Sequence, residues 1–375
     1  MVLTPLFKLM AEKHASDMFF TAGSPIQIKI EGDVMPINAQ VLDASAVKKM
    51  AYECMTAEQI RTFETDLEIN FSLLESGVGS FRVNVFKQRG TVAMVIRHIK
   101  VNIPTVEELR LPQLLKDVVM EKRGLIMVVG STGSGKSSTL AAMIDHRNHM
   151  KAGHILTIED PIEYMYRHAK SIVNQREVGI DTRTYTNALV NAMREAPDVI
   201  LIGECRDRET FQAALAYAQT GHLCLTTVHA NNTYYALNRV INFFPHEARN
   251  SLLMDLSVSL RAIISQRLVR DTHAKLCPAV EVLLNTKHIQ ELIKNGAADQ
   301  IKDAMEQSLA PGCQTFEQAL YALYTQGTIT LEEALTNADS ATNLSWLINN
   351  AKVTDSGGNR KSQTNEDISS IRLNL

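Results

Sequence analysis

The chain has 375 residues and a formal net charge of −3, and because this length exceeds what one hydrophobic core usually supports, we expect two domains. The sequence contains no basic run, no apolar segment near the roughly 18 to 20 residues of a membrane span, and no signal-peptide core, so we expect a cytoplasmic protein without a nucleic-acid partner. The five cysteines are odd in number, widely spaced and without a C-x-x-C pair, which predicts free thiols and no zinc site.

The N-terminal elements predict helices laid against a sheet. Apolar positions at helical spacing within residues 2–20 indicate an opening helix. The alternation in IQIKI and the turn from Glu31 to Asp33 indicate two strands. Residues 45–54 and 56–64 follow as two helices, and Thr56 with Gln59 forms the capping pattern of the second.

The segment FRVNVFKQRGTVAMVIRHI predicts a β-hairpin whose turn is centred on Arg89 and Gly90. In that register Arg82 faces Arg97. Like charges opposite each other destabilise a ladder unless an anion relieves them. Two splayed surface arginines are the alternative, but beside a nucleotide-binding domain we favour a pair that meets a phosphate.

A proline-bounded linker at residues 102–112 and a helix over residues 114–123 lead to the sequence LIMVVGSTGSGKSS. A buried strand, a glycine-rich turn and a helix follow one another here. Gly130, Gly135, Lys136 and Ser137 fill the pattern G-x-x-x-x-G-K-[ST], which cradles phosphates and places a hydroxyl on Mg²⁺. We assign nucleotide binding to the whole turn: Gly130, Ser131, Thr132, Gly133, Ser134, Gly135, Lys136, Ser137 and Ser138.

Beyond the cradle, strand signals at HILTIED, DVILIGE and HLCLTTVHA alternate with helices at residues 185–194 and 208–219. This alternation predicts an α/β domain with a mainly parallel sheet, whose ligands bind at the carboxyl ends of the strands. Glu159, Asp160 and Glu163 follow one strand, and Glu204 follows another. Carboxylates in these positions can hold Mg²⁺ and polarise an attacking water.

Two histidines bracket the strand after that. Seven residue steps place His222 and His229 about 23 Å apart, so they cannot share one phosphate. His229, at the carboxyl end, is our candidate sensor of the γ-phosphate. His222 remains open between a subunit contact and a structural role.

The C-terminal part predicts mostly helices. Residues 245–270 give one long helix, VEVLLN a last strand, and residues 288–308 an amphipathic helix. Residues 314–335 give a helix, a stop at Gly327, and a second helix capped by Thr330 with Glu333. From Thr354 onward the sequence has too little apolar content to build a core, and we expect a disordered tail.

The motifs GSTGSGKSS, ILTIEDPIEY, DVILIGECRDRET and TGHLCLTTVHANN resemble, in this order and spacing, the Walker A, Asp-box, degenerate Walker B and His-box motifs of the secretion ATPases. Within that superfamily, IVNQREVGIDT, NRVINFFP, VEVLLNT and GCQTFEQAL resemble the type IV pilus retraction ATPases of the PilT/PilU type.

The resemblance implies a PAS-like N-terminal domain, a RecA-like P-loop domain, and a homo-hexameric ring with ATP between subunits. It implies that Lys136 and Ser137 bind phosphate and Mg²⁺, that Glu163 activates water, and that Glu204 positions Mg²⁺ or water. Glu159 is a candidate metal ligand from its place at the strand end alone. Arg82 and Arg97 match arginines that such families place on a neighbour's γ-phosphate.

We therefore expect five parts: a PAS-like domain (1–100), a linker and lead-in helix (101–120), a RecA-like ATPase domain (121–285), a helical appendage (286–350) and a disordered tail (351–375). The function implied is ATP-driven type IV pilus retraction at an inner-membrane platform protein. One alternative is an accessory nucleotide-binding ring that assists a homologous principal retraction ATPase. Another is a pilus-assembly or type II secretion ATPase, but these usually carry an additional N-terminal domain and a four-cysteine zinc module, and this sequence has neither.

Overall fold

The computed structural model of the protein describes residues 3–30, 32–99 and 102–355, with side chains as far as residue 350. Residues 351–355, which we expected in the tail, continue a helix, and the rest of the predicted tail lies outside the described residues. Among the residues described, no helix combines the length and the apolar character that crossing a bilayer requires.

The N-terminal elements form an antiparallel sheet covered by helices, as predicted. The strands are β1 (Asp17–Phe20), β2 (Pro25–Ile30), β3 (Asp33–Val41), β4 (Glu68–Glu75), β5 (Gly79–Gln88) and β6 (Thr91–Ile99). The helices are α1 (Thr4–Glu12), α2 (Ala44–Glu53) and α3 (Ala57–Asp66). The strand order is β3-β2-β1-β6-β5-β4, and Phe7, Phe63 and Phe81 are fully buried in the core between helices and sheet.

The predicted hairpin is formed by β5 and β6. Its turn has positive φ angles of 48° at Arg89 and 77° at Gly90, a combination that two-residue hairpins favour. The register pairs Arg82 with Arg97, which confirms the predicted juxtaposition. Because side chains alternate along a strand, both arginines lie on the sheet face opposite to Phe81.

The second sheet carries the P-loop. Its strands are β7 (Gly124–Val129), β8 (Gly153–Glu159), β9 (Ser171–Glu177), β10 (Val199–Ile202), β11 (Leu223–Val228), β12 (Leu260–Arg270) and β13 (Leu276–Leu284). The order is β13-β12-β7-β11-β10-β8-β9, and only β12 and β13 pair antiparallel. Every position of β7, β10 and β11 is buried, which explains the uninterrupted apolar sequences of β7 and β10. The strand β11 also buries Thr226 and Thr227.

Helices cover both faces of this sheet and extend beyond it. They are α4 (Leu114–Val119), α5 (Lys136–Met150), α6 (Tyr185–Ala192), α7 (Arg208–Gln219), α8 (Thr233–Asn242) and α9 (Arg249–Ser259). The C-terminal helices are α10 (Lys287–Lys294), α11 (Ile301–Glu306), α12 (Phe316–Thr325), α13 (Leu331–Asn337) and α14 (Ala341–Asp355). The predicted fold class, α/β preceded by a smaller α+β part and followed by helices, is confirmed, and the division into domains remains our proposal.

The single long helix predicted over residues 245–270 is wrong in its second half. The helix α9 ends at Ser259, and the chain continues as β12 beside the P-loop strand β7. A strand buried on both faces has no polar stripe, so its apolar positions fit a helix as well as a strand. The adjacent β-branched residues Ile263 and Ile264 favour the strand.

The helix predicted over residues 288–308 is also wrong as one element, because it breaks between α10 and α11. Asn295 caps α10, and Gly296 follows with a φ of 71°, the left-handed conformation in which many helices end. The stop at Gly327 is confirmed, with a φ of 69° between α12 and α13. The strand β9 has no counterpart in the sequence prediction.

Candidate active site

The phosphate cradle is the glycine-rich loop that connects the buried strand β7 to the helix α5. The strand ends at Val129, and the chain turns through the glycine-rich loop into α5, whose first residue is Lys136. A Cβ atom on Gly130 would lie 2.6 Å from the backbone oxygen of Gln266, so only glycine fits there. The N–H groups at the start of the long helix α5 point toward the loop and favour an anion.

Lys136 is held at the centre of this loop. Its ammonium group donates to the carbonyl oxygens of Gly130 at 3.0 Å and Ser131 at 2.8 Å. Because an ammonium has three N–H donors, one remains for a phosphate oxygen. Desolvation lowers the pKa of Lys136, and the negative charges of Glu204 and Glu163 oppose that shift.

Glu204 and His229 meet because β10 and β11 are neighbours in the sheet. The Glu204 carboxylate lies 3.1 Å from Nε2 of His229 and 2.7 Å from Nη2 of Arg206. Desolvation acts to raise the pKa of Glu204, but the Arg206 hydrogen bond and the charges of His229 and Lys136 outweigh it, and the pKa is lowered. Glu204 is therefore ionised at neutral pH.

Glu159 ends β8 and supports the loop that carries Glu163. It accepts hydrogen bonds from Oγ1 of Thr157 at 2.6 Å and Nε2 of Gln175 at 3.4 Å, and also from the backbone N–H of Glu163. Desolvation nevertheless raises the pKa of Glu159 to about 7. Its oxygens are thus engaged within the protein, and Glu163 itself is exposed.

These side chains converge on one cavity of about 340 Å³. The residues predicted for chemistry and metal binding that line it are Lys136, Ser137, Glu159, Glu163, Glu204 and His229. Thr132 and Gly133 of the loop line it too. The sequence motifs, spread over nearly a hundred residues, therefore build a single polar site around the loop.

A second cavity, of about 630 Å³, lies on the other side of the loop. Ser131 and Ser134 of the loop face it, together with Gln266 and Arg267 of β12 and Asp339 near α14. Ser138, in the first turn of α5, makes a 2.7 Å hydroxyl contact with Tyr164 instead.

The donor set of the first cavity fits a hard divalent cation. Ser137 offers a hydroxyl oxygen and Glu204 an ionised carboxylate, the oxygen ligands that Mg²⁺ takes beside nucleotide phosphates. Within the described ranges, no group of three or more His, Cys, Asp or Glu side chains could hold a metal alone. A cation bound here would therefore depend on water and phosphate oxygens for its remaining ligands.

Arg82 and Arg97 do not line this cavity. Nε of Arg97 donates to Oδ1 of Asp17 at 2.8 Å, and Asp17 is only 5% exposed. The argument that the arginine pair requires an external anion is therefore wrong, because Asp17 relieves the repulsion within the same sheet. The charge of Arg82 acts on Glu177, at the end of β9.

His222 and His229 lie at opposite ends of β11, as the strand geometry predicts. His222 stands beside Tyr217, with Nδ1 3.2 Å from its carbonyl oxygen and the two rings edge to face at 5.9 Å. These contacts favour the structural role.

Three residues at the site escaped the sequence analysis. Arg206 stands two positions after Glu204 in the quoted motif, so its spacing was a usable signal. Tyr164 follows Glu163 directly, but nothing in the sequence pairs it with Ser138. Glu177 ends the unrecognised strand β9 and lies close to the Glu163 loop only in the folded chain.

Known proteins resemble this chain over most of its length. A family model described as "Type II/IV secretion system protein" matches residues 2–369. The type IV pilus ATPase PilU of Pseudomonas aeruginosa PAO1 is 50% identical over 344 residues, covering 92% of this chain and 90% of the relative. The retraction ATPase PilT of the same strain is 41% identical over 334 residues, covering 89% and 97%. The crystal structure of the pilus retraction motor PilT with bound ADP gives a TM-score of 0.85 at 40% identity, covering 91% and 98%.

Proposed function

The chain belongs to the type II/IV secretion system protein family, and from this premise we propose that it hydrolyses ATP to power retraction of a type IV pilus. The relatives named as type IV pilus ATPase and retraction ATPase match it over nearly their whole lengths. One observation carries the proposal: Lys136, Glu163, Glu204 and His229, from four separate motifs, converge on one cavity at the phosphate cradle.

In the proposed reaction, a water oxygen bonds to the γ-phosphorus of ATP while the bond from that phosphorus to the bridging oxygen breaks. Glu163, exposed at the mouth of the cavity, takes the proton of the water. Lys136 supplies positive charge to the β- and γ-phosphates through its remaining N–H. His229, held by Glu204, faces the γ-phosphate position and distinguishes ATP from ADP.

Ser137 and Glu204 would hold Mg²⁺, which when bound neutralises phosphate charge and orients the phosphate oxygens. Arg206 secures Glu204 from the side away from His229. Glu159 serves the site through the Glu163 backbone, because its oxygens already accept hydrogen bonds within the protein.

We place Arg82 and Arg97 on the phosphates of a neighbouring subunit in a homo-hexamer. Arg97 is well suited to this, since its side chain is 63% exposed despite the contact with Asp17. A guanidinium supplied across a subunit boundary stabilises negative charge as it develops on the transferred phosphoryl group.

The ring would act in the cytoplasm, peripheral at the inner membrane, where a platform protein of the pilus machinery is its partner. A homologous retraction ATPase is a further partner to test. The protein so described resembles PilU more than PilT in sequence, by 50% against 41% identity.

The deciding experiment images labelled pili in cells that lack the gene, complemented with wild-type protein or with Lys136→Ala. We expect the deletion and Lys136→Ala strains to assemble pili but retract them rarely or weakly, because assembly does not depend on this enzyme. Bald cells with a normal pilin pool would contradict the proposal and favour an assembly ATPase. Deleting a homologous retraction ATPase as well separates a principal motor from an accessory ring.

A further inference from the structure

The loop from Asp160 to Tyr166 carries Glu163 but lies outside the sheet, so something must fix its position. Two side chains of the edge strand β9 do so. Gln175 Oε1 accepts from the N–H of Tyr166 at 2.9 Å, and its Nε2 donates to the carbonyl of Tyr164 at 2.8 Å. Glu177 Oε2 accepts from the N–H of Ile162 at 3.2 Å.

Gln175 and Glu177 stand two positions apart, so they project from the same face of β9. Their side chains extend the hydrogen bonding of the sheet edge to a loop that belongs to none of the strands. Glu159, at the end of the neighbouring strand β8, holds the same loop through the N–H of Glu163. The two consecutive N–H groups that precede Cα of Glu163 are thus tied to two carboxylates, one from β8 and one from β9.

Glu177 is an unusual group to bury. It is only 4% exposed, and burial raises its pKa, which the N–H of Ile162 and the charge of Arg82 oppose. A buried carboxylate is retained at a cost in desolvation unless its hydrogen bonds and charges repay it. Here the compensation comes from the Glu163 loop and from the N-terminal sheet.

We propose that Glu177 is a positioning residue for ATP hydrolysis, which fixes Ile162 and thereby the direction in which Glu163 faces the cavity. The proposal rests on the proposed function. Glu177 does not line the cavity; it acts through one backbone hydrogen bond. The positive charge of Arg82, on the N-terminal sheet, acts on the same carboxylate.

The test compares Glu177→Ala with Glu177→Gln in the full-length protein. Glutamine keeps the shape and offers an amide oxygen to the N–H of Ile162, whereas alanine removes the acceptor. We expect Glu177→Ala to lower kcat by about 10-fold to 100-fold, the range that a displacement of about 1 Å produces, with KM for ATP nearly unchanged because the cradle is intact. Glu177→Gln should restore most of kcat.

The matched control is Glu195→Gln. Glu195 accepts from Arg176 Nη1 at 2.7 Å, and Arg176 directly precedes Glu177, so this change loosens the same strand without touching the loop. We expect the control to keep wild-type kcat. Equal kcat for Glu177→Ala and wild type would overturn the proposal, as would equal losses in the alanine, glutamine and control variants.

A second measurement separates this inference from the proposed function. Amide hydrogen exchange over residues 160–166 should accelerate in Glu177→Ala but not in Glu177→Gln or Glu195→Gln, whether or not the protein hydrolyses ATP. If wild-type protein has no ATPase activity, the proposed function fails while the exchange result still decides the positioning role. Unchanged exchange in Glu177→Ala would overturn that role even in an active enzyme.

Discussion

At the carboxyl edge of the parallel sheet, two charged groups of the site are held by neighbours: Glu204 lies between Arg206 and His229, and Lys136 lies against two loop carbonyls. On the open face of the N-terminal sheet, Arg97 keeps a side chain 63% exposed although it contacts Asp17. The edge is preorganised, which suits stabilisation of a transition state. The open face retains side chains that can reach another molecule. Glu204 and Lys136 are thus positioned by contacts within their own chain, whereas Arg97 is available to a second chain.

The largest loss of ATPase activity should come from substitutions at the carboxyl edge of the parallel sheet. Lys136→Ala and Glu204→Gln should each abolish measurable turnover, but only the first should weaken ATP binding, by about tenfold or more, because only the lysine contacts phosphate directly. Titration with a fluorescent ATP analogue in the presence of Mg²⁺ measures the affinities. Equal losses of affinity would show that the two groups do not have separate roles.

The next effect tests whether the open face serves a neighbour. Arg97→Ala should lower the ATPase rate by about 10³-fold, the lower end of what such an arginine contributes, and Arg82→Ala should behave alike. If the arginines act across a subunit boundary, Arg97→Ala and Lys136→Ala damage different sites. Co-expressing the two inactive variants should therefore restore some complete sites, with the highest activity near equal proportions.

The control for this experiment is wild-type protein mixed with Lys136→Ala. Activity that falls in proportion to the wild-type fraction shows that one inactive site does not stall a ring. With that established, a mixture of Arg97→Ala and Lys136→Ala that stays inactive would place the arginines on their own chain's nucleotide. Rings must be shown to contain both variants before either result is interpreted.

The sequence predicted features that depend on neighbouring residues and missed contacts that depend on the pairing of distant strands. The P-loop is a contiguous motif, and the pairing of Arg82 with Arg97 follows from a two-residue hairpin turn, so both were accessible from local sequence. Asp17 was not, because it reaches Arg97 only through the pairing of β1 with β6. Repulsion argued from two strands alone therefore left out the carboxylate that already pairs with Arg97.

The same limit explains why the support of the loop from Asp160 to Tyr166 was not predicted. SIVNQRE has mixed polarity because β9 is the last strand of the sheet, and without the strand there was no reason to bring Glu177 near Ile162. The segment from Leu260 was misassigned for the opposite reason, since a strand buried on both faces leaves no periodicity to recognise.

A smaller effect concerns the pH dependence of stability at the edge. Glu159 has a folded pKa of about 7, above its ordinary value, so between about pH 4.5 and 7 the folded state binds more protons than the unfolded state. The free energy of unfolding should fall as pH rises through that window. Glu159→Gln, which resembles the protonated form, should flatten this decline and be more stable than wild type above pH 7 by about 3 kcal/mol.

Urea denaturation at several pH values, without nucleotide, measures this effect. Near pH 4.5 the variant should have no higher free energy of unfolding than wild type, because folded wild type and folded variant both carry a neutral group at position 159. If the free energy of unfolding of Glu159→Gln falls with pH as much as that of wild type, the decline belongs to another carboxyl group.

The smallest effect is expected on the open face. Asp17→Asn should lower the free energy of unfolding by at most about 1 kcal/mol through its contact with Arg97, since the arginine is largely exposed and its ion pair is screened by solvent. A double-mutant cycle with Arg97→Ala isolates that contribution. A coupling well above this value would mean that Arg97 is fixed on its own sheet and poorly placed to serve a neighbour.

The strand β12 joins two parts of the molecule that the chain separates widely. Gln266 accepts from Oγ1 of Thr139, in the helix behind the cradle, at 2.5 Å. The next residue, Arg267, projects to the other face, where it lies 4.0 Å over the ring of Phe316 and pairs with Asp339. A strand hydrogen-bonded on both sides, to β7 and β13, neither stretches nor slides without changing its register. The cradle and the C-terminal helices are therefore connected through the same strand. A partner that binds those helices and displaces them also displaces the nucleotide site.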